Sequence, residues 1–351
     1  MHAYILKRLL LMMPTLFGVM LITFTVTQFV PGGPVEQLIQ QLQGQGVGGE
    51  AGGGGQRRLY RGDSGLDSEK LEELKKLYGF DKPAYERFLK MMGSYLRFDF
   101  GDSYYQQRSV IDLVISKLPV SASLGLWTFL IVYLTCIPLG IKKAVRDGSR
   151  FDVTTSTIIL VGYAIPGFVL GIMLLVLLGG GSFWDLFPLR GLTSDNWDQL
   201  SWIGKIGDYL WHITLPVISL VVGSFAVMTM LTKNSFLEEI RKQYVLTARA
   251  KGLKENTVLY KHVFRNAMIP LVTSFPGAFI GAFFAGSILI ETIFSLDGLG
   301  LLSYESIIKR DYPVVLGTLY LFTLIGLVAK LLTDICYVWV DPRIQFESLD
   351  S

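Results

Sequence analysis

Six stretches of this 351-residue chain are long enough to cross a bilayer and carry no charge along their length. They are Leu9–Val30, Leu118–Ile141, Val153–Leu178, Ile213–Thr232, Asn266–Ile290 and Tyr312–Ala329. A hydrocarbon core about 30 Å thick needs roughly 20 residues of helix, and only the last stretch falls short. It holds 18 residues before Lys330, and Leu331–Val340 is available to complete the crossing. Peptide groups in lipid find no water to bond, so each stretch has to be a helix that pairs its own backbone. The expected fold is all-α and integral to the membrane, with six transmembrane helices.

Positive charge sets the orientation. With the N-terminus inside, the inside segments hold fifteen Lys and Arg residues, among them Lys7, Arg8, Lys142, Lys143 and eight between Lys233 and Arg265. The two short outside loops hold four, Arg190, Lys205, Lys309 and Arg310. The long segment 31–117 is left out of this comparison, because long loops cross with little regard to charge. Both termini are expected in the cytoplasm. The first stretch exceeds the length of a signal-peptide core and is followed by Pro31-Gly32-Gly33-Pro34 rather than a small-residue cleavage pattern, so it reads as an uncleaved anchor. A net charge of +3 gives no reason to expect a nucleic-acid partner. Cys136 and Cys336 lie in apolar surroundings and read as packing residues rather than a disulfide or metal pair.

The expected organisation is a cytoplasmic N-terminus with helix 1 (1–30), a small external subdomain (31–117), helices 2 to 6 (118–340) and a cytoplasmic tail (341–351). The subdomain opens on the Gly-rich run Gly44–Gly55. A helix capped by Asp67 or Ser68 is expected to run through Tyr78 to Gly79, and a second, amphipathic helix over Ala84–Leu96 behind Pro83. The subdomain is either a structural cap or a docking platform for a soluble partner. The cytoplasmic segment 233–265 is far longer than a mere connection needs. Phe236, Ile240 and Tyr244 form one helical stripe, Gly252 interrupts, and Val258, Leu259 and Val263 begin another. Two short helices joined at Ala250–Leu253 are expected. They pack beneath the membrane domain, lie on anionic headgroups, or fill a groove in a cytoplasmic protein.

The run Gln243-Tyr244-Val245-Leu246-Thr247-Ala248-Arg249-Ala250-Lys251-Gly252-Leu253, followed by His262-Val263-Phe264-Arg265-Asn266-Ala267, resembles the cytoplasmic "EAA" loop of ABC importer permeases, in the form found in dipeptide and oligopeptide transporters. Gly252 matches the motif's glycine and Ala248 its second alanine. Leu246 stands where the general motif has glutamate, and Thr247 where it has the first alanine. Phe264-Arg265 replaces a later Leu-Pro. Similarity extends over nearly the whole chain, through Tyr78-Gly79-Phe80-Asp81-Lys82-Pro83, Phe98-Asp99-Phe100-Gly101-Asp102-Ser103, Glu291–Gly300 and Asp341-Pro342-Arg343-Ile344. Pro188–Leu192 and Trp211–Pro216 resemble one branch in particular, the Yej-type permeases. Its members are linked to uptake of oligopeptides and microcin C, and related systems take up murein peptides. The resemblance implies a type I ABC importer permease in a bacterial inner membrane. Its partners would be a second homologous permease, ABC ATPase subunits and a periplasmic peptide-binding protein, with peptide as the substrate. It implies that Thr247, Ala248, Arg249, Ala250, Lys251, Gly252, Leu253 and Glu255 form the loop that couples to the ATPase.

The chain has no G-x-x-x-x-G-K-[ST] loop to cradle a phosphate, no H-E-x-x-H zinc motif and no G-x-S-x-G elbow. No catalytic role, metal or cofactor is therefore expected in it, and ATP and Mg would be bound by the partner subunits. Gly277, Gly281 and Ala285 recur every four residues in the fifth stretch, as a close-packing face or as the lining of a translocation path. Glu291 is either part of an external gate or an exposed loop carboxylate. Gly162, Pro166, Gly167 and Gly171 are expected to bend the third stretch. Lys330 and Asp334 lie one turn apart and are expected either to pair within the membrane or to leave Lys330 reaching for the interface. The rival reading is a passive channel or an ion-coupled secondary transporter. It predicts midplane charges at broken helices and an internal repeat, and no repeat is evident in the sequence.

Overall fold

The computed structural model describes residues 2–29, 82–180, 183–284 and 286–340. Gly44–Gly55, the helix expected to end at Tyr78, Ala285 and the 341–351 tail lie outside the described residues. Thirteen helices are described. They are α1 (His2–Phe29), α2 (Ala84–Tyr95), α3 (Val110–Val145), α4 (Arg150–Ala164), α5 (Gly167–Leu178), α6 (Trp202–Ile240), α7 (Gln243–Ala250), α8 (Glu255–Thr257), α9 (Phe264–Ala267), α10 (Ile269–Phe284), α11 (Ile288–Ile293), α12 (Leu299–Ile308) and α13 (Tyr312–Val340). A π-helical turn, Val258–Val263, joins α8 to α9. Five spans are long and apolar enough to cross a membrane, and α4 with α5 supplies a sixth as a broken pair.

The break in that pair is a bend of 89°. Pro166 has no N–H to continue the ladder, and it holds Ile165 in an extended conformation (φ −87°, ψ 118°). Gly167 then brings the start of α5 against α6, where an added Cβ would lie 2.8 Å from the carbonyl oxygen of Ser219. The expected bend is thus a full change of direction. The fifth stretch departs from expectation. It does not run as one helix to Ile290, because α10 ends at Phe284 and α11 starts at Ile288, with Ser287 extended between them. Gly286 is pressed so closely on the backbone of Gly300 that no side chain fits there.

The chain divides into two compact units. One takes in residues 1–12, 114–304 and 322–351. Its core joins Leu124, Val132 and Cys136 of α3 to Ile213, Val217 and Val221 of α6 and to Leu271, Ile290 and Phe294. Gly125 and Gly140 let α3 approach Ala282 on α10 and Thr232 on α6. The other unit takes in residues 13–113 and 305–321. In it α2 occupies the expected residues, and Phe88 packs edge-on to Phe17 and tilted against Phe24, both at 5.3 Å. Tyr95, Phe100 and Tyr320 form a second aromatic cluster. The buried Asp311 carboxylate accepts hydrogen bonds from Ser103 Oγ and from the Tyr104 N–H at 3.1 Å.

Candidate functional site

The segment 233–265 is built as two helical pieces hinged at Lys251–Lys254, as the sequence suggests, but its first boundary differs. Phe236 and Ile240 belong to the end of α6, which stops at Arg241, and Tyr244 starts a separate helix, α7. The stripe survives in space. Phe236 and Val245 are fully buried, and Ile141 and Ala144 of α3 join them with Ala248, Val258, Val263 and Ala267 in one cluster. The Tyr244 hydroxyl donates to Glu239 Oε2 at 2.7 Å and accepts from Asn266 Nδ2 at 3.2 Å. Burial, reinforced by the Glu239 carboxylate, raises the Tyr244 phenol above its ordinary pKa.

The opposite face of this unit is open. Of the eight residues expected to couple, only Ala248 is buried; Thr247, Arg249, Ala250, Lys251, Gly252, Leu253 and Glu255 are exposed. Leu246 (49% exposed), Leu253 and Tyr260 stand among basic residues. Gly252 adopts φ +77°, a left-handed conformation that costs an L side chain about 1 kcal/mol or more, and nothing lies within 4 Å of its missing Cβ. The turn therefore needs glycine for its backbone and not for space. Arg249 closes it, donating through Nε and Nη2 to the Glu255 carboxylate at 3.0 and 3.1 Å.

Behind this unit lies a charge network that the sequence reading missed. Lys143, at the end of α3, is completely buried. Its three ammonium protons go to the Asp152 carbonyl (2.9 Å), Thr155 Oγ1 (2.8 Å) and Ser156 Oγ (2.7 Å). Its 3.1 Å approach to Asp152 Oδ1 is therefore charge attraction without a hydrogen bond. Lys233 of α6 bridges Asp152 at 2.7 Å and Asp147 at 3.0 Å. The signal in the sequence was a lysine pair followed nine residues later by Asp152, and then by Thr155 and Ser156, at the head of an apolar stretch.

The membrane-embedded candidates sort differently from expectation. Glu291 is not an exposed loop carboxylate; it is fully buried. Its Oε1 accepts from Ser121 Oγ at 3.2 Å and its Oε2 from the Leu301 N–H at 2.7 Å, and Ser121 Oγ accepts from the Leu299 N–H at 2.8 Å. A Cβ on Gly298 would sit 2.6 Å from the carboxyl carbon, so the surrounding glycines exist to admit it. Glu291 thus ties α11 to the first turn of α12 and to α3. Lys330 and Asp334 form no ion pair. Asp334 Oδ2 instead accepts from the Tyr4 hydroxyl at 3.0 Å and lies 3.3 Å from Arg8 Nη2. A partner on another helix reaches the outward face of that turn better than a lysine on the same helix. Gly281 has nothing of this chain's described residues within 4 Å of its missing Cβ, whereas a Cβ on Gly277 would lie 3.2 Å from Thr333 Oγ1. Both glycines border a groove between α10 and α13 with a volume of about 500 Å³, which Lys330 also lines.

Residues 136–346 match the family described as "Binding-protein-dependent transport system inner membrane component". The chain is 60% identical to the "Peptidoglycan transport system permease protein YejB" of Agrobacterium fabrum, with all of both chains covered. It is 56% identical to the "Inner membrane ABC transporter permease protein YejB" of Escherichia coli O157:H7, over 99% of this chain and all of that one. To the "Oligopeptide transport system permease protein AppB" of Bacillus subtilis it is 32% identical, again over 99% of this chain and all of the relative. Multiple long apolar helices, a basic hinged loop with one face left open, and a match across more than half the sequence converge: this chain belongs to the family of inner-membrane components of binding-protein-dependent transport systems.

Proposed function

We propose that the chain is a permease subunit of an ATP-driven importer that carries peptides, of the oligopeptide, microcin C-like or murein type, from periplasm to cytoplasm. It works beside a second homologous permease, takes its energy from ABC ATPase subunits that bind ATP and Mg, and receives cargo from a periplasmic peptide-binding protein. The chain itself is non-catalytic, and both its termini lie in the cytoplasm. The peptide class is supported by the names of the relatives, which concern peptidoglycan and oligopeptide transport.

The observation that carries this reading is the two-faced α7 unit. Val245 and Ala248 anchor it to the membrane helices, while Leu246, Leu253 and Arg249 are left open to a partner. Isolated exposed leucines need no explanation, but two of them on a rigid turn among basic residues fit a small groove in an ATPase. Movement of that partner on nucleotide binding would pass through the buried cluster to the ends of α3 and α6. The test is to co-express the chain with the second permease, ATPases and binding protein and pull down by a tag on it. Stoichiometric recovery of the ATPases, with Gly252→Trp losing stimulated ATP hydrolysis and uptake but not membrane insertion, is the expected result. Uptake and stimulated hydrolysis that survive Gly252→Trp would remove the docking assignment. A chain that purifies alone and moves solute without ATP would remove the importer reading.

A further inference from the structure

Among the described residues Lys330 has no counter-charge, in a place where that is costly. It lies inside α13, an apolar 29-residue span, about ten residues or 15 Å from the Val340 end. A charged side chain at such depth faces protein or water and marks a path or a ligand. The one carboxylate within a helical turn on its own helix, Asp334, is already held by Arg8 and Tyr4. Among the described residues Lys330 makes no hydrogen bond or ion pair, and no acidic side chain lines the groove it borders. Thr333 is the only other polar side chain there, and its hydroxyl donates to the Ala329 carbonyl.

The groove is shaped along its length. Phe284 and Phe322, with ring centroids 6.1 Å apart, stand at one end. Lys330 stands two turns further along α13, about 12 Å away by helical rise. Gly277, Gly281 and Gly326 keep the space between them free of side chains. A peptide in extended form covers that distance in about four residues. We propose that Lys330 reads a carboxylate of the transported peptide, with the aromatic pair receiving apolar side chains further along it. Lys330 is then a specificity-determining residue on the passage. This rests on the peptide-importer reading above.

The test uses the complete transporter, with both permeases, the ATPases and saturating binding protein, reconstituted in lipid vesicles. It compares ATP-dependent uptake of one tetrapeptide with that of its C-terminal amide. Affinity of the binding protein for each form is measured separately, so that discrimination before the membrane is subtracted. The wild type should favour the free acid over the amide by roughly tenfold, the weight of one charge-assisted hydrogen bond. Lys330→Met should take up the acid no faster than the amide, and Lys330→Arg should restore the preference. Equal discrimination by wild type and Lys330→Met, or no discrimination by either, would overturn the assignment while leaving peptide import intact. Loss of the second permease from the Lys330→Met complex would overturn it by giving the cation to a subunit contact. Absence of any ATP-dependent peptide uptake by the wild type would instead defeat the importer reading itself.

Discussion

Two lysines in the long helices have opposite surroundings. Lys143, at the end of α3, is completely buried and gives each of its three protons to an acceptor. Lys330, inside α13, is exposed on a groove and gives none to any described residue. Burying an ammonium is tolerable only when every donor is engaged and an opposite charge is near. Lys143 meets both conditions, so its charge is spent on holding α3 to α4. Lys330 meets neither among the described residues, so its charge is not engaged by any of them. A charged residue in a membrane helix is therefore not one kind of signal; its donors decide which kind.

The largest expected effect falls on the satisfied lysine. Lys143→Met leaves Asp152, Thr155 and Ser156 with fewer partners and should cost about 3 kcal/mol or more, read as a lower melting temperature of the purified complex. If Lys143→Met melted no earlier than wild type, the contrast between the two lysines would collapse. Glu291→Gln comes next. The amide keeps one acceptor for Leu301 or Ser121 and brings unwanted donors into the glycine cradle, for an expected loss of about 2 kcal/mol by the same measurement. Gly252→Ala should cost about 1 kcal/mol through its positive φ alone, because space for the methyl is available. Stability unchanged in Gly252→Ala would mean that the turn relaxes away from φ +77°. The smallest effect is assigned to Lys330→Met, within about 0.5 kcal/mol of wild type, because no internal bond is lost. A melting shift as large as that of Lys143→Met would reveal a structural partner for Lys330.

Much of the fold was legible because it follows from local chemistry. Charge-free length marked the spans, Pro166 and its glycines marked the break between α4 and α5, and Gly252 marked the hinge of the α7 unit. The surfaces and pairings were less legible, because they depend on what distant segments bring. Lys143 counted only as one more positive charge inside, since nothing local says that Thr155 and Ser156 fold back over it. The charge nearest Asp334 in sequence is Lys330, whereas its partner Arg8 comes from the opposite end of the chain. Glu291 was ambiguous until Gly286, Gly298 and Gly300 were seen to surround it. Their spacing was the available clue: small residues on both sides of a lone carboxylate leave room for it to turn inward. The end of the helix at Phe284 had the same source, a Gly-Ser pair in a stretch whose hydrophobicity alone argued for continuity.

Helix α6 has a mechanical consequence of its own. It runs unbroken for 39 residues, about 58 Å, which is nearly twice the thickness of the hydrocarbon core. Its last turns carry Phe236 and Glu239, which grip the hinged unit, while its first turns carry Asp208, which holds the Ser194 loop at the other extremity. A lever of that length amplifies. Tilting it by roughly 5° about its midpoint swings either tip by roughly 2.5 Å, close to the reach of a hydrogen bond. A rearrangement too small to disturb packing at the fulcrum is thus large enough to remake polar contacts on the far side of the membrane.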